Sequence, residues 1–137
     1  MKEELEILAA IEARQSVRGY LPNAVPREVV ADIIEAALRA PTAMNTQPWR
    51  LTALSGEPLD RVRARNSELL ESGTPPQPDF PVPPYAGEYR ERQVDVYRRL
   101  LEMLGITRQD RAARSDWQRH GYRFFEAPVV ILIHFED

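Results

Sequence analysis

Apolar side chains recur along this chain at two different spacings, and the switches between them mark out the elements. Leu5, Leu8 and Ile11, with Ile7 widening the stripe, recur at helical intervals and predict a helix over 3–13 that packs on the body of the domain. A second helix opens at Pro26, whose fixed φ and missing N–H suit a first helical position. Its Val29, Val30, Ile33, Ile34, Ala37 and Leu38 form an apolar face broad enough for a buried central helix, and all six read as core. Residues 49–54 alternate as a strand does and end at Ser55-Gly56. A third helix is expected over 58–72, with Leu59, Val62, Leu69 and Leu70 turned inward and Gly73 just past its end. The fourth, over 88–104, lines up Val94, Tyr97, Leu101 and Leu104 and stops at Gly105. A charged fifth helix covers about 108–122, and the unbroken run from Val129 to Phe135 reads as a buried strand.

Between the third and fourth helices, Pro75, Pro76, Pro78, Pro81, Pro83 and Pro84 make 74–86 a stiff, extended segment without helix. Phe80 and Tyr85 are its expected apolar anchors. It suits either a loop covering a nearby site or a ligand for a proline-recognition module.

A length of 137 residues with 43% hydrophobic content fits one domain spanning 1–137, without room for a second. Only two strands emerge from the pattern, and a two-stranded sheet is marginal by itself. A missing edge is therefore expected, to be filled by further chain or by a partner.

Composition narrows the chemistry. With no cysteine, disulfides, thiol nucleophiles and thiolate-held metals are excluded, so redox chemistry requires a borrowed cofactor. His120 and His134 are the only imidazoles, and His134 fits a hydrogen-bonded strand histidine better than a metal ligand. No apolar run approaches membrane-spanning length, and the start Met1-Lys2-Glu3-Glu4 lacks the pattern of a signal peptide, so the cytoplasm is the expected compartment and no membrane partner is expected. A net charge of -3 argues against a broad nucleic-acid surface. The cations are unusual in kind, since the 18 of them include a single lysine, Lys2. Arginines in such number offer planar forks for a phosphate, although most belong to solvated helix faces.

Two stretches carry candidate chemistry. Arg14-Gln15-Ser16-Val17-Arg18-Gly19-Tyr20 switches to alternation, and an extended backbone would place Arg14, Ser16, Arg18 and Tyr20 on one side. Two guanidiniums and a hydroxyl suit phosphate oxygens; an exposed strand with its charges turned to solvent is the commoner use of such a pattern. The second stretch is Pro41-Thr42-Ala43-Met44-Asn45-Thr46-Gln47-Pro48-Trp49-Arg50. Pro41 ends the preceding helix, and Pro48 disfavours helical geometry at Gln47. If extended, the loop would aim the primary amides of Asn45 and Gln47 the same way, each able to donate and accept. That pairing suits a planar heterocycle, while an ordinary capped turn is the commoner use of Asn-x-Gln-Pro. Trp49 reads as a packing anchor, and Asn66 as a weaker candidate for a polar contact.

The run Pro-Thr-Ala-Met-Asn-Thr-Gln-Pro-Trp over 41–49 strongly resembles the Pro-Ser/Thr-small-x-Asn-x-Gln-Pro-Trp loop of nitroreductase-like flavoproteins, with all seven specified positions agreeing in type and order. Arg14, Ser16 and Arg18 match that family's Arg-x-Ser-x-Arg/Lys segment, and Phe124-Phe125-Glu126-Ala127-Pro128 matches its Phe-Phe-x-Ala-Pro turn into a central strand. The resemblance implies an α+β nitroreductase-like fold, helices around a mostly antiparallel sheet, incomplete here at the C-terminus because family members continue further. It implies a homodimer in which both subunits build each FMN site. Arg14, Ser16 and Arg18 of one chain, with Gln15 contributing, would hold the phosphate and ribityl end, while Pro41, Thr42, Ala43 and Asn45 of the other line the flavin and Gln47 assists. The implied reaction passes hydride from NADH or NADPH through FMN to a nitroaromatic, quinone or similar small-molecule acceptor, with no side chain as nucleophile. Thr42 keeps the hydroxyl of the commoner serine, and Met44 occupies a position the family varies. Two competing readings stand beside this one: a dimerising remnant that does not turn over flavin, and an arginine-rich RNA-binding domain, which the net charge and scattered cations disfavour.

Overall fold

The computed structural model describes residues 7–81 and 83–135. Five helices and two strands follow the order α1 (Ile7–Glu12), α2 (Arg27–Ala37), β1 (Trp49–Ser55), α3 (Gly56–Glu71), α4 (Gly87–Met103), α5 (Arg111–Tyr122) and β2 (Val129–Phe135). Two short 3-10 turns, Ala43–Asn45 and Phe124–Glu126, precede β1 and β2. The fold is α+β, with β1 and β2 antiparallel and in register from Trp49 opposite Phe135 to Ser55 opposite Val129.

Local chemistry accounts for most boundaries. Asp110 caps α5 by accepting the Ala113 N–H at 2.9 Å. Gly73 and Gly105, at φ 70° and 68°, end α3 and α4 in left-handed turns where Thr74 N–H returns to Leu69 O and Ile106 N–H to Leu101 O. Pro26 stands one residue before α2 rather than inside it, and α3 begins two residues ahead of the expected Pro58.

The interior lies where α3 crosses the sheet and meets α5. Leu59 is only 1% exposed, and Leu101 and Ala127 are the other buried apolar residues among those described. From α3, Arg63 reaches the turn before β2: Nε donates to Arg123 O at 3.2 Å, Nη2 to Ala127 O, and Nη1 pairs with Asp60 at 3.0 Å. One turn on, Asn66 donates to Tyr122 O at 3.0 Å. These donors meet the carboxyl end of α5, where unsatisfied carbonyls and the helix dipole favour a cation. Trp117, His120 and Phe125 pack their rings 5.6 to 5.9 Å apart and fasten the same corner.

Several expected core residues are not covered. The part of the first predicted helix that is described, Ile7–Glu12, exposes Ile7, Leu8 and Ile11 instead of packing on the domain, while Leu5 lies outside the described residues. The α2 face holds no buried residue, and Ile33 is 52% exposed. Residues 74–86 form neither helix nor strand where described, as expected, but Phe80 at 84% exposure and Tyr85 anchor nothing; Val82 lies outside the described residues. In β2 the far half is open, with Ile133 and Phe135 exposed, because among the described residues the sheet has no third strand or covering helix on that side. The accessible surface is 12298 Å² for 15.7 kDa, whereas a compact monomer of that mass exposes about 7,300 Å². Periodicity marked which faces are apolar, and among the described residues those faces stay largely uncovered.

Candidate functional site

The segment joining α1 to α2 carries the first set of predicted ligands. Residues 14–20 belong to no helix or strand and are exposed throughout. Its groups are nonetheless free to bind: among the described residues Arg14 and Arg18 have no carboxylate partner, and the Ser16 hydroxyl has no hydrogen bond. Arg18 Nη1 makes only a 3.5 Å contact to Ser16 O, and Tyr20 turns its hydroxyl to Val17 O at 3.4 Å. Gln15 is exposed beside them.

The second set sits on the loop between α2 and β1. Asn45 N–H donates to Thr42 O and Thr46 N–H to Ala43 O, both at 3.1 Å. Gln47 N–H donates to Thr42 Oγ1, also at 3.1 Å. The loop therefore coils rather than extends. Asn45 and Gln47 have φ of 56° and 46°, and Met44, 95% exposed at the tip, has 52°. Proline at 48 disfavours the right-handed helical region at Gln47, and the residue takes the left-handed region instead of the expected extended one. Parallel display of the two amides by strand geometry is thus overturned. Both side chains are exposed, and neither amide has a hydrogen-bond partner among the described residues. Pro41 and Ala43 are exposed as well; Thr42 alone in 41–48 is half-buried.

No hydrogen bond or ion pair among the described residues joins 14–18 to 41–47. The loop is instead fixed through Trp49, half-buried at the start of β1, and through the pairing of β1 with β2. Across that ladder Thr52 Oγ1 and His134 Nε2 lie 3.4 Å apart, so His134 is a partnered strand histidine as expected. Asn66, the weaker candidate, donates from its amide to Tyr122 O at the end of α5.

What sequence reasoning missed is Arg63, one of three arginines within five residues of α3, which reads as a solvated helix cation. The signal was its spacing. Arg63 shares a stripe with Leu59, Asn66 and Leu70, so it interrupts the inward face. The largest concavity described, about 980 Å³, runs along α4 past Val94, Tyr97 and Leu101 to Ile106 and Arg114, and no predicted site residue lines it.

The donor set fits a flavin mononucleotide. Two uncompensated guanidinium forks and a hydroxyl match a phosphate, and two unengaged primary amides match the alternating donors and acceptors of a flavin edge.

Comparison with known proteins points the same way. The family model described as Nitroreductase family matches residues 11–137. Nitrobenzene nitroreductase of Ectopseudomonas oleovorans is 36% identical over 129 residues, which cover 89% of this chain and 55% of that protein. Among solved structures, the FMN and NADPH-dependent nitroreductase NfnB from sphigopyxis sp. strain HMH superimposes with a TM-score of 0.88 at 33% identity, covering 96% of this chain and 60% of its own. The FMN-dependent nitroreductase NfnB from Mycobacterium smegmatis, in complex with NADPH, gives 0.84 at 31% identity, covering 91% and 57%. This chain thus spans a little over half the length of the relatives it matches.

Proposed function

The chain belongs to the nitroreductase family, and on that premise we propose that it forms the FMN-binding part of a cytoplasmic NAD(P)H oxidoreductase. It acts as a homodimer, relaying hydride through flavin to a nitroaromatic, quinone or similar acceptor. The observation that carries this reading is the loop before β1, which is held by its own hydrogen bonds while the Asn45 and Gln47 amides remain exposed and without hydrogen-bond partners among the described residues.

Bound FMN supplies the redox chemistry, taking up and giving up a hydride equivalent. The chain's residues bind and orient. Arg14 and Arg18 neutralise the phosphate, and Ser16 and Gln15 add neutral hydrogen bonds at the ribityl end. From the other subunit, Pro41, Thr42 and Ala43 present the loop against the ring system, and Asn45 and Gln47 offer donors and acceptors to its polar edge. No residue is assigned as nucleophile or general base.

The uncovered face of α2 supports the homodimer and equally a second reading, a dimerising member of the family that does not turn over flavin. The two separate in one assay. Flavin-dependent oxidation of NADH or NADPH, with nitrobenzene as acceptor, is expected from the first reading; dimerisation without it establishes the second.

A further inference from the structure

Thr42 closes the loop before β1 twice. Its carbonyl accepts the Asn45 N–H, a span of three residues, and its hydroxyl oxygen accepts the Gln47 N–H, a span of five, both at 3.1 Å. It is also the one residue of 41–48 whose side chain is partly buried, so the hydroxyl faces the loop interior. Inside this double closure stand three non-glycine residues with φ between 46° and 56°. Asparagine tolerates the left-handed region, but it is unfavourable for Met44 and Gln47, and such conformations persist only where surrounding contacts enforce them. Pro48 has no N–H, so Gln47 provides the last backbone donor before the strand. Without an acceptor for it, Gln47 is free to return to the extended geometry favoured before proline, which swings its side chain away.

We infer that Thr42 is a positioning residue, whose hydroxyl oxygen locks Gln47 in the left-handed region and so sets the Asn45 and Gln47 amides before any flavin binds. The consequence for binding rests on the flavin reading above; the lock is a property of the flavin-free protein. Preformed geometry spares the ligand the ordering of the loop, and affinity rises accordingly.

The test compares Thr42→Ser, which keeps the oxygen, with Thr42→Val, which keeps the shape and removes the acceptor. Hydrogen exchange at the Gln47 amide is followed by NMR in flavin-free protein, and FMN affinity by fluorescence quenching. Thr42→Val is expected to speed exchange and to weaken FMN binding, each by about three- to tenfold, the worth of one neutral hydrogen bond. Thr42→Ser stays within about twofold of the parent in both, as expected where the bond is kept. Thr42→Ala serves in the same comparison if the valine variant does not fold. Unchanged Gln47 exchange in Thr42→Val overturns the lock. Faster exchange with unchanged FMN affinity overturns the positioning role. If the parent protein binds no FMN, the exchange measurement still decides the lock while the flavin reading fails separately.

Discussion

Replacing Arg63 with methionine tests how this fold holds its second strand in place. The guanidinium donates to Arg123 O and Ala127 O at the two ends of a turn in which Phe124, Phe125 and Glu126 all have positive φ, at 58°, 53° and 58°. Ala127 is buried, so its carbonyl loses a charged donor and gains no water, a cost of about 1–3 kcal/mol. Arg123 O keeps the Glu126 N–H at 3.3 Å, so its loss is smaller, about 0.5–1.5 kcal/mol. The pair with Asp60, whose side chain is 67% exposed, adds about 1 kcal/mol at most. Methionine preserves the packing of the stem. The expected loss is roughly 2–4 kcal/mol, a large share of the ~5–15 kcal/mol that holds a typical domain together. Arg63→Lys recovers only part of it, because an ammonium on one flexible stem does not span two carbonyls as a fork does. Urea unfolding followed through Trp117 is the assay, since its ring sits 5.9 Å from that of Phe125 and reports the turn itself. A midpoint unchanged within error for Arg63→Met, at unchanged slope, refutes the bracing role.

The remaining predictions concern packing, assembly and acid. Leu59→Ala removes the most buried side chain and is expected to cost about 2–5 kcal/mol in the same urea assay; a loss below 1 kcal/mol contradicts the placement of the core. Ile33→Glu puts a charge on the uncovered α2 face, and sedimentation should show the dimer lost while the helical circular dichroism is retained. Hydrogen bonding from Arg98, opposed by desolvation and helped by the charge of Arg99, holds the Asp95 carboxyl below its ordinary value of 3.8. A depressed carboxylate contributes stability that is present above the unfolded pKa and lost as pH falls through the folded one. Helicity of α4 is therefore expected to fall below about pH 4, and Asp95→Asn should flatten that acid limb; an unchanged limb assigns it to other carboxylates.

Legibility differed from one kind of feature to another. The strands were readable because alternation and an unbroken apolar run state their type directly, and the ends of α3 and α4 because glycine at 73 and 105 is the residue a left-handed cap favours. The turns at 44–47 and 124–126 were not, because their left-handed residues are Met, Asn, Gln, Phe and Glu rather than glycine; hydrogen bonds to Thr42 close the first, and Arg63 reaches across from α3 to brace the second. Burial was misread at Ile7, Ile33 and Phe80 for a different reason. An apolar side chain shows that a face wants covering and says nothing about whether its own chain does it. The coil that presents the Asn45 and Gln47 amides was not legible in the sequence either, because it depends on one threonine hydroxyl.

The accessible surface exceeds that of a compact monomer of this mass by about 5,000 Å², several times the roughly 800 Å² that each partner loses in a standard protein interface. Assembly and ligand binding are thus best examined together. Size-exclusion chromatography of the purified chain with added FMN, recording protein and flavin absorbance across one peak, tests the shared site directly. The account predicts flavin co-eluting at dimer size, and its loss when Arg14 and Asn45 are both replaced by alanine. A flavin-free peak, or flavin retained unchanged by that double variant, contradicts it.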